Sequence, residues 1–447
     1  MVIGGGPAGL MAAGQAALIG SPVLLLERTA RLGAKLRLTG HGRCNLTNTA
    51  PLDAFLAHLF FADAGNAYPQ FLRNALARFS ASDLIAFLET LGVATSVERG
   101  GRVFAAGNDA HQVAEALVRF ARAQGVQIRL RSRVAQLLHD DGRLHGVLLE
   151  NGERMEAGVV VVATGGASYP RTGSTGDGYR LAAEMGHTIA PVRPALVPLV
   201  AAGSEPKAMM GVSLYDVEVR LLLAGQEVAR ATGDMLFTHY GVSGPAILTL
   251  SGPAVARLGQ GPLEISINLK PALSPDELDS QLRLTLGQTG KRTFRTWLKA
   301  LIPPKMVDVV VQRTNIPLDK PARQITAAER ERLRDLLQDL RLTIVGHRSW
   351  DEAMVTAGGV DTREVDPRTL GSRLVAGLYF AGEVLNIQAD TGGFNLQAAF
   401  STGYVAGRAA AHFVADSGSM AAALQSGSPS LRSRAGMAAA LQRRGNL

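Results

Sequence analysis

The sequence predicts an α/β fold in which a Rossmann-like nucleotide-binding domain is interrupted by a β-rich insert and a helical one. Three observations predict it. The chain opens as strand, glycine-rich turn, helix and strand: "MVI", "GGGPAG", "LMAAGQAALIG", "PVLLLER". In mid-chain a wholly apolar run, "VVVVA", stops at Thr164-Gly165-Gly166, as a strand covered on both faces does. Near the C-terminus a Gly-rich strand, "VAGLYFAGE", and a small-residue helix, "NLQAAFSTGYVAGRAAAHFVA", return to the α/β style after a long stretch of different texture.

In chain order, residues 1–30 form one βαβ unit. A mostly loop and helical stretch follows to about residue 125, including "SASDLIAFLETLG", with Ser82 or Asp83 as its cap. "VQIRLRSRVAQLLHDDGRLHGVLLENGERMEAG" alternates like a small antiparallel sheet. From about 189, short strands punctuated by proline indicate a β-domain. Residues 274–340 read as charged amphipathic helices, with Ser274 and Thr326 each preceding an acid by three positions, the signature of a helix N-terminus. The expected organisation is a discontinuous domain of residues 1–188 and 352–414, a β-barrel-like insert of 189–273 and 341–351, and a helical subdomain of 274–340. Residues 415–447, rich in Ser, Gly, Ala and Arg, are expected to be a mobile tail. There is no internal repeat.

Composition narrows the class. A chain of 447 residues, 47% hydrophobic and rich in glycine, suits a multidomain α/β enzyme. Its single cysteine excludes an internal disulfide, an all-cysteine metal site and a dithiol relay, and the expected compartment is the cytoplasm. The N-terminus lacks a basic leader or cleavage site, and no apolar run reaches the roughly 18 residues that span a bilayer. The net charge of +8 is spread through both halves and mixed with acids, so it reads as solubility and affinity for anionic ligands. No histidine spacing suits zinc: "GHRSWDE" and "THYG" lack i, i+4 partners, and no metal is expected.

Gly4, Gly6 and Gly9 form G-x-G-x-x-G directly after a strand, and Glu27 closes the second strand. Gly4 permits the tight turn, Gly6 lets a pyrophosphate approach backbone N–H groups, Gly9 lets helix and strand pack closely, and Glu27 accepts from ribose hydroxyls. An acid at this place disfavours a 2′-phosphate, hence NADP. The late segment "GLYFAGEVLNIQADTGGFNLQAAFSTG" favours FAD over NAD. Its strand ends in Gly382-Glu383, and a helix opens at Gly392, Gly393, Phe394 and Asn395, whose N–H groups suit the negative charge of a reduced flavin. Cofactor contacts are further expected at Pro7, Ala8, Arg28, Val134, Ala163, Thr164, Gly165 and Leu396. Asp177 is read as a helix cap.

The stretch "TGHGRCNLTN" follows Glu27 after "ERTARLGAKLRL", where flavoproteins of this architecture run a loop from the pyrophosphate toward the isoalloxazine. Gly40 and Gly42 allow close backbone approach, Lys35 and Arg43 bring positive charge, and Asn45 can cap a turn or donate to the ring. Cys44 is either a thiolate activated by Arg43 or a small side chain that fits beside the flavin.

The motifs "VIGGGPAGL", "GAKLRLTGHGRCNLTN", "ATGGASYPRTGSTGDGY", "FTHYGVSGPAIL", "TAGGVDTREVDPRTL" and the late flavin segment resemble the YhiN/BaiN-like flavoproteins, also called aminoacetone-oxidase-type or NAD(P)/FAD-dependent oxidoreductases. The resemblance runs to about residue 410. It implies a two-dinucleotide-binding-type domain holding noncovalent FAD, with a barrel-like and a helical insert. Two departures stand out: the chain begins inside its first strand, and Asn386 and Ala389-Asp390 stand where an acid and a more Gly-rich loop are expected.

A flavin supplies the redox chemistry, and the protein sets orientation and access. With one dinucleotide fingerprint, NAD(P)H would have to visit the flavin as a transient donor. Two enzyme readings follow: an NAD(P)H-linked reductase of a small organic acceptor, and an oxidase of a small amine or alcohol that yields peroxide. A third reading, a flavin-dependent RNA-associated protein, rests on Lys291, Arg292, Arg295, Lys299 and Lys305. Nearby acids and few aromatics weigh against it, so a small-molecule substrate is expected and nucleic acid is not. The oligomeric state is open. Candidate chemical residues are His239, beside Tyr240, then Tyr169 and Cys44.

Overall fold

The computed structural model of the chain describes residues 1–60 and 70–425. Five parallel strands form the central sheet in the order Leu378–Phe380, Val160–Val162, Val2–Ile3, Leu24–Leu26, Gln127–Arg129. Val160–Val162 and Leu378–Phe380 are buried along their whole length, which explains why they read as unbroken apolar runs. The helix Pro7–Leu18 packs on the sheet against the long C-terminal helix, Gly392–Gln425. Small residues permit that contact. A Cβ on Gly403 would lie 2.4 Å from the carbonyl oxygen of Ala8, and one on Gly407 2.2 Å from that of Ala12, so backbone lies directly on backbone.

The three-stranded antiparallel sheet Val134–Asp140, Arg143–Leu149, Arg154–Glu156 forms as its alternation predicts. The stretch to residue 125 is less loop-like than expected. Asn45–Asn48, Arg102–Ala105 and Thr95–Glu98 make a second antiparallel sheet, and Leu59–Phe60 pairs with Gln388–Ala389. Such short strands, flanked by Asn and Gly, have too few positions to show a period, and their partners are distant in sequence. The helix Ala81–Thr90 is capped by Ser80, not Ser82, with Asp83 closing the box by accepting from the Ser80 backbone.

Residues 199–347 hold a closed six-stranded barrel: Leu199–Ala201, Gly241–Ser243, Gln226–Phe237, Ser213–Leu223, Leu263–Asn268 and Leu340–His347, which returns to the first. The preceding strand, Ile189–Ala195, stays outside and pairs with Val355–Val360. The helices Pro275–Gly287 and Ala327–Gln338 begin at Ser274 and Thr326, each in a full capping box with Glu277 and Glu329. Their apolar faces do not make a core of their own. Leu278, Leu282, Leu333 and Leu337 join Val219, Ile265 and Leu342 of the barrel in one cluster. Residues 415–425, expected in the tail, continue the C-terminal helix, and residues 426–447 lie outside the described residues. Among the described residues no helix is long and apolar enough to cross a membrane.

Candidate functional site

A deep cavity of about 1690 Å³, counting its open mouth, runs across the carboxyl ends of the parallel strands, where open α/β sheets bind ligands. At one end the backbone does the shaping. Gly4 has φ +104°, and a Cβ there would sit 2.4 Å from the Ala163 carbonyl oxygen; a Cβ on Gly9 would sit 1.9 Å from that of Gly4. At Gly6 nothing lies within 4 Å of a Cβ, so the space above the helix N-terminus is open for a phosphate. Glu27 lines this end, with its carboxylate held by the N–H groups of Gly5 (2.8 Å) and Thr29 (2.7 Å).

Asp177 is not a cap. Gly176 occupies the cap position, and the carboxylate accepts from Arg133 at 2.9 Å and Arg28 at 2.8 Å on the cavity wall. Burial works to raise its pKa, but the two guanidinium groups outweigh burial and hold it below the ordinary carboxylate value.

Further in, Lys35 and Glu383 form an ion pair of 2.6 Å, each side chain 19% exposed. The ammonium also donates to Ser168 Oγ at 2.6 Å, and the Thr356 N–H donates to Glu383 Oε1 at 2.7 Å. Thr356 Oγ1 accepts from the N–H of Ala167, which fixes the loop after Gly165. Tyr169 lines the same cavity, half-buried, with a left-handed backbone (φ 52°, ψ 58°) anchored by its N–H to the Trp350 carbonyl. Burial and the charge of Glu352 raise its pKa, which keeps the phenol protonated.

The cysteine loop folds differently from expectation. Arg43 turns away from the cavity to Glu98 and Asn108 and lies 4.3 Å over Phe104. Cys44 is fully buried at φ 58°, and burial pushes its thiol up to about 12, so Arg43 does not activate it. A thiol reagent at pH 8 is expected to leave the native protein unlabelled and to modify one cysteine once the protein is unfolded in guanidinium; labelling of the native state would overturn this.

A profile described as "HI0933-like protein Rossmann domain" matches residues 1–409. The chain belongs to the HI0933-like family. Among its relatives, a 3-dehydro-bile acid delta(4,6)-reductase of Clostridium scindens is 36% identical over 92% of this chain and 98% of its own length. Ribosomal RNA dihydrouridine synthases of Haemophilus influenzae and Escherichia coli are each 32% identical over 90% of this chain and 96% of their own. Among solved structures, a 3-ketosteroid delta1-dehydrogenase from Sterolibacterium denitrificans superimposes with TM-score 0.51 at 13% identity, covering 92% of this chain and 98% of that one. A flavocytochrome c3 fumarate reductase superimposes with TM-score 0.50 at 17% identity, covering 92% and 78%. These last two likenesses show the fold alone.

This HI0933-like chain is an FAD-dependent oxidoreductase. The cavity fits the cofactor: the N-terminus of Pro7–Leu18 opens on it with nothing within 4 Å of a Cβ on Gly6, and Arg28 and Lys35 bring positive charge to the same wall. Of the residues expected to touch FAD, Gly4, Gly6, Pro7, Ala8, Glu27, Arg28, Lys35, Val134, Ala163, Thr164, Gly165, Gly382, Glu383, Gly392, Asn395 and Leu396 line the cavity. Gly9, Gly42, Arg43, Cys44, Asn45, Gly393 and Phe394 do not. Gly393 packs on Asn45 and Thr47, and Phe394 is buried against His58. The Asn395 side chain ties down its own loop by accepting from Ala389 N–H and donating to the Thr391 carbonyl. His239 is exposed, edge-on to Tyr240, and lies off the cavity wall. Sequence reasoning missed Ser168, Thr356, Gln388 and Arg133. Ser168 stands inside a quoted motif two positions after Gly166, and the Thr164-Gly165-Gly166 turn ahead of it was the signal.

Proposed function

We propose that the protein saturates a carbon–carbon double bond conjugated to a carbonyl in a small organic acceptor, with electrons from NAD(P)H, in the cytoplasm. One observation carries the reading. The relatives' names describe a steroid nucleus and an RNA base, yet the bonds share one type: the 4,6 double bonds conjugate with a 3-oxo group, and the uracil 5,6 bond with the 4-carbonyl. FAD, when bound, supplies the hydride such a bond accepts. The Tyr169 phenol, protonated at the cavity wall, is suited to donate to the carbonyl oxygen as negative charge gathers there. Leu38, Leu59, Met354 and Val355 give that wall an aliphatic character. Tyr169 is its sole aromatic among the described residues, so it offers no stacking platform for a base and favours a small acceptor over RNA. The one parallel nucleotide-binding sheet among them is occupied by the FAD site, so the nicotinamide must visit the flavin.

Anaerobic NADH or NADPH should bleach the flavin, and a 4,6-dien-3-one steroid or cyclohex-2-enone should restore its colour faster than a ribosomal RNA fragment. A flavin that neither nucleotide bleaches, with peroxide released on an amine panel, would establish the oxidase reading instead. Tyr169→Phe should keep FAD and its reduction by nicotinamide while slowing enone-dependent reoxidation about 10- to 100-fold; an unchanged rate would remove the phenol from the reaction.

A further inference from the structure

The segment that follows Val160–Val162 leaves the sheet and returns to its own starting point. Its base is closed where the Gly176 N–H donates to the Gly166 carbonyl at 3.0 Å. A second tether runs from the Tyr169 N–H to the Trp350 carbonyl, also at 3.0 Å. Between them the chain turns tightly, with the Thr172 N–H on the Tyr169 carbonyl at 2.8 Å and the Gly173 N–H on that of Pro170 at 3.0 Å. A compact loop with joined ends results, the form of an Ω-loop.

Strand order sets where the tip of this loop lands. Val2–Ile3 lies between Val160–Val162 and Leu24–Leu26. A loop that starts after Val160–Val162 and touches the residues after Leu24–Leu26 therefore crosses the carboxyl end of Val2–Ile3, which is the glycine cradle. The tip does reach across: a Cβ on Gly173 would lie 2.9 Å from Thr29 Cγ2 and 3.6 Å from Arg28 Cδ. Gly4 and Gly6 on one side, and Thr172, Gly173 and Ser174 on the other, face the same cavity.

Charge fastens the tip. Arg28 donates to Thr175 Oγ1 and, at 2.8 Å, to Oδ2 of Asp177, the first residue of the helix Asp177–Glu184. Arg133 holds the same carboxylate with two bonds of 2.9 Å. The Asp177 side chain is 15% exposed and that of Arg28 29%, so water screens these bonds only in part. Among the described residues, Arg28 is the only side chain of the opposite wall that hydrogen-bonds residues 170–175.

We propose that this loop is a strap over the bound FAD, clasped by Arg28 to Thr175 and Asp177, and that FAD enters and leaves only when the clasp opens. The bound dinucleotide fills the space between the glycine cradle and the strap. Opening leaves the sheet intact: residues 170–175 swing about the tethers at Tyr169 and Gly176, and only the Arg28 bonds break. The pair between Arg133 and Asp177 stays, because neither partner belongs to the moving tip.

The test follows isotope-labelled FAD, loaded on the full chain and chased with excess unlabelled FAD, as label that remains with the protein. Asp177→Asn should speed this exchange about 10-fold, and Thr175→Val, at an exposed position, about 3-fold. A gate acts in both directions. FAD uptake by each apoprotein should quicken by a similar factor, which leaves the dissociation constant within about threefold of wild type. A direct contact predicts the opposite sign: if Arg28 served only as a ligand of the FAD phosphates, Asp177→Asn would free it and slow release. Unchanged or slower exchange in Asp177→Asn overturns the proposal. Faster release with unchanged uptake overturns it too, since the clasp would then be part of the binding surface and not a gate. Should Asp177→Asn fail to fold, the same two rates in Thr175→Val decide.

Discussion

Gly6→Val is expected to give a folded, colourless protein. Gly6 sits at φ −79°, ψ −175°, which valine adopts readily, and nothing lies within 4 Å of the position its Cβ would take. The isopropyl group therefore meets no protein atom; it fills the opening above the N-terminus of Pro7–Leu18, where a pyrophosphate would receive N–H groups and the helix dipole. FAD affinity should fall about 100-fold, roughly 2.7 kcal/mol, with little change in melting temperature measured on apoprotein. Gly9→Val is the contrast. Its Cβ would press into the Gly4 carbonyl at 1.9 Å, so strand and helix must separate, and the melting temperature should fall together with the flavin content. A yellow Gly6→Val protein would place the phosphate elsewhere.

Lys35→Met should destabilise the protein by about 2 kcal/mol and weaken FAD retention. The substitution leaves the Glu383 carboxylate on the cavity wall with only the Ser168 hydroxyl and the Thr356 N–H as donors. Breaking a well-buried pair typically costs about 3–5 kcal/mol. With each partner 19% exposed, part of that is screened and the lower figure applies. The double variant Lys35→Met/Glu383→Gln should recover more than half of the loss in a denaturant titration, because no uncompensated charge remains. Additive losses would show that the two side chains act separately.

The residues that were legible in the sequence share one property: their job is local. Gly9 packs on the Gly4 carbonyl within two turns of chain, and Ser274 with Glu277 and Thr326 with Glu329 close their boxes across three positions. The apolar Val160–Val162 announces a strand buried on both faces without reference to its neighbours. Thr39 and Gly40 of the cysteine loop line the cavity as expected, but residues 42–45 do not, for the complementary reason. Glycines and charges in "GHGRCNLTN" suggested a flavin-facing loop, but whether Arg43 faces a phosphate or Glu98 depends on where residues 95–105 fold back as strands. No periodicity near Arg43 encodes that. Phe394 is a similar case, since the side of the helix it takes is decided by packing on Phe55 and His58.

The sequence by itself determined the parallel sheet, the glycine cradle with Glu27, and the change of texture that marks the inserts, because each arises from the spacing of neighbouring residues. Only the tertiary structure decided the pairs that give the cavity its chemistry. Lys35 and Glu383 are 348 positions apart, and Arg28 and Asp177 149. A polar side chain carries no mark of its distant partner. The partner is selected when burial makes an unpaired charge costly and the strand order brings one opposite charge within reach.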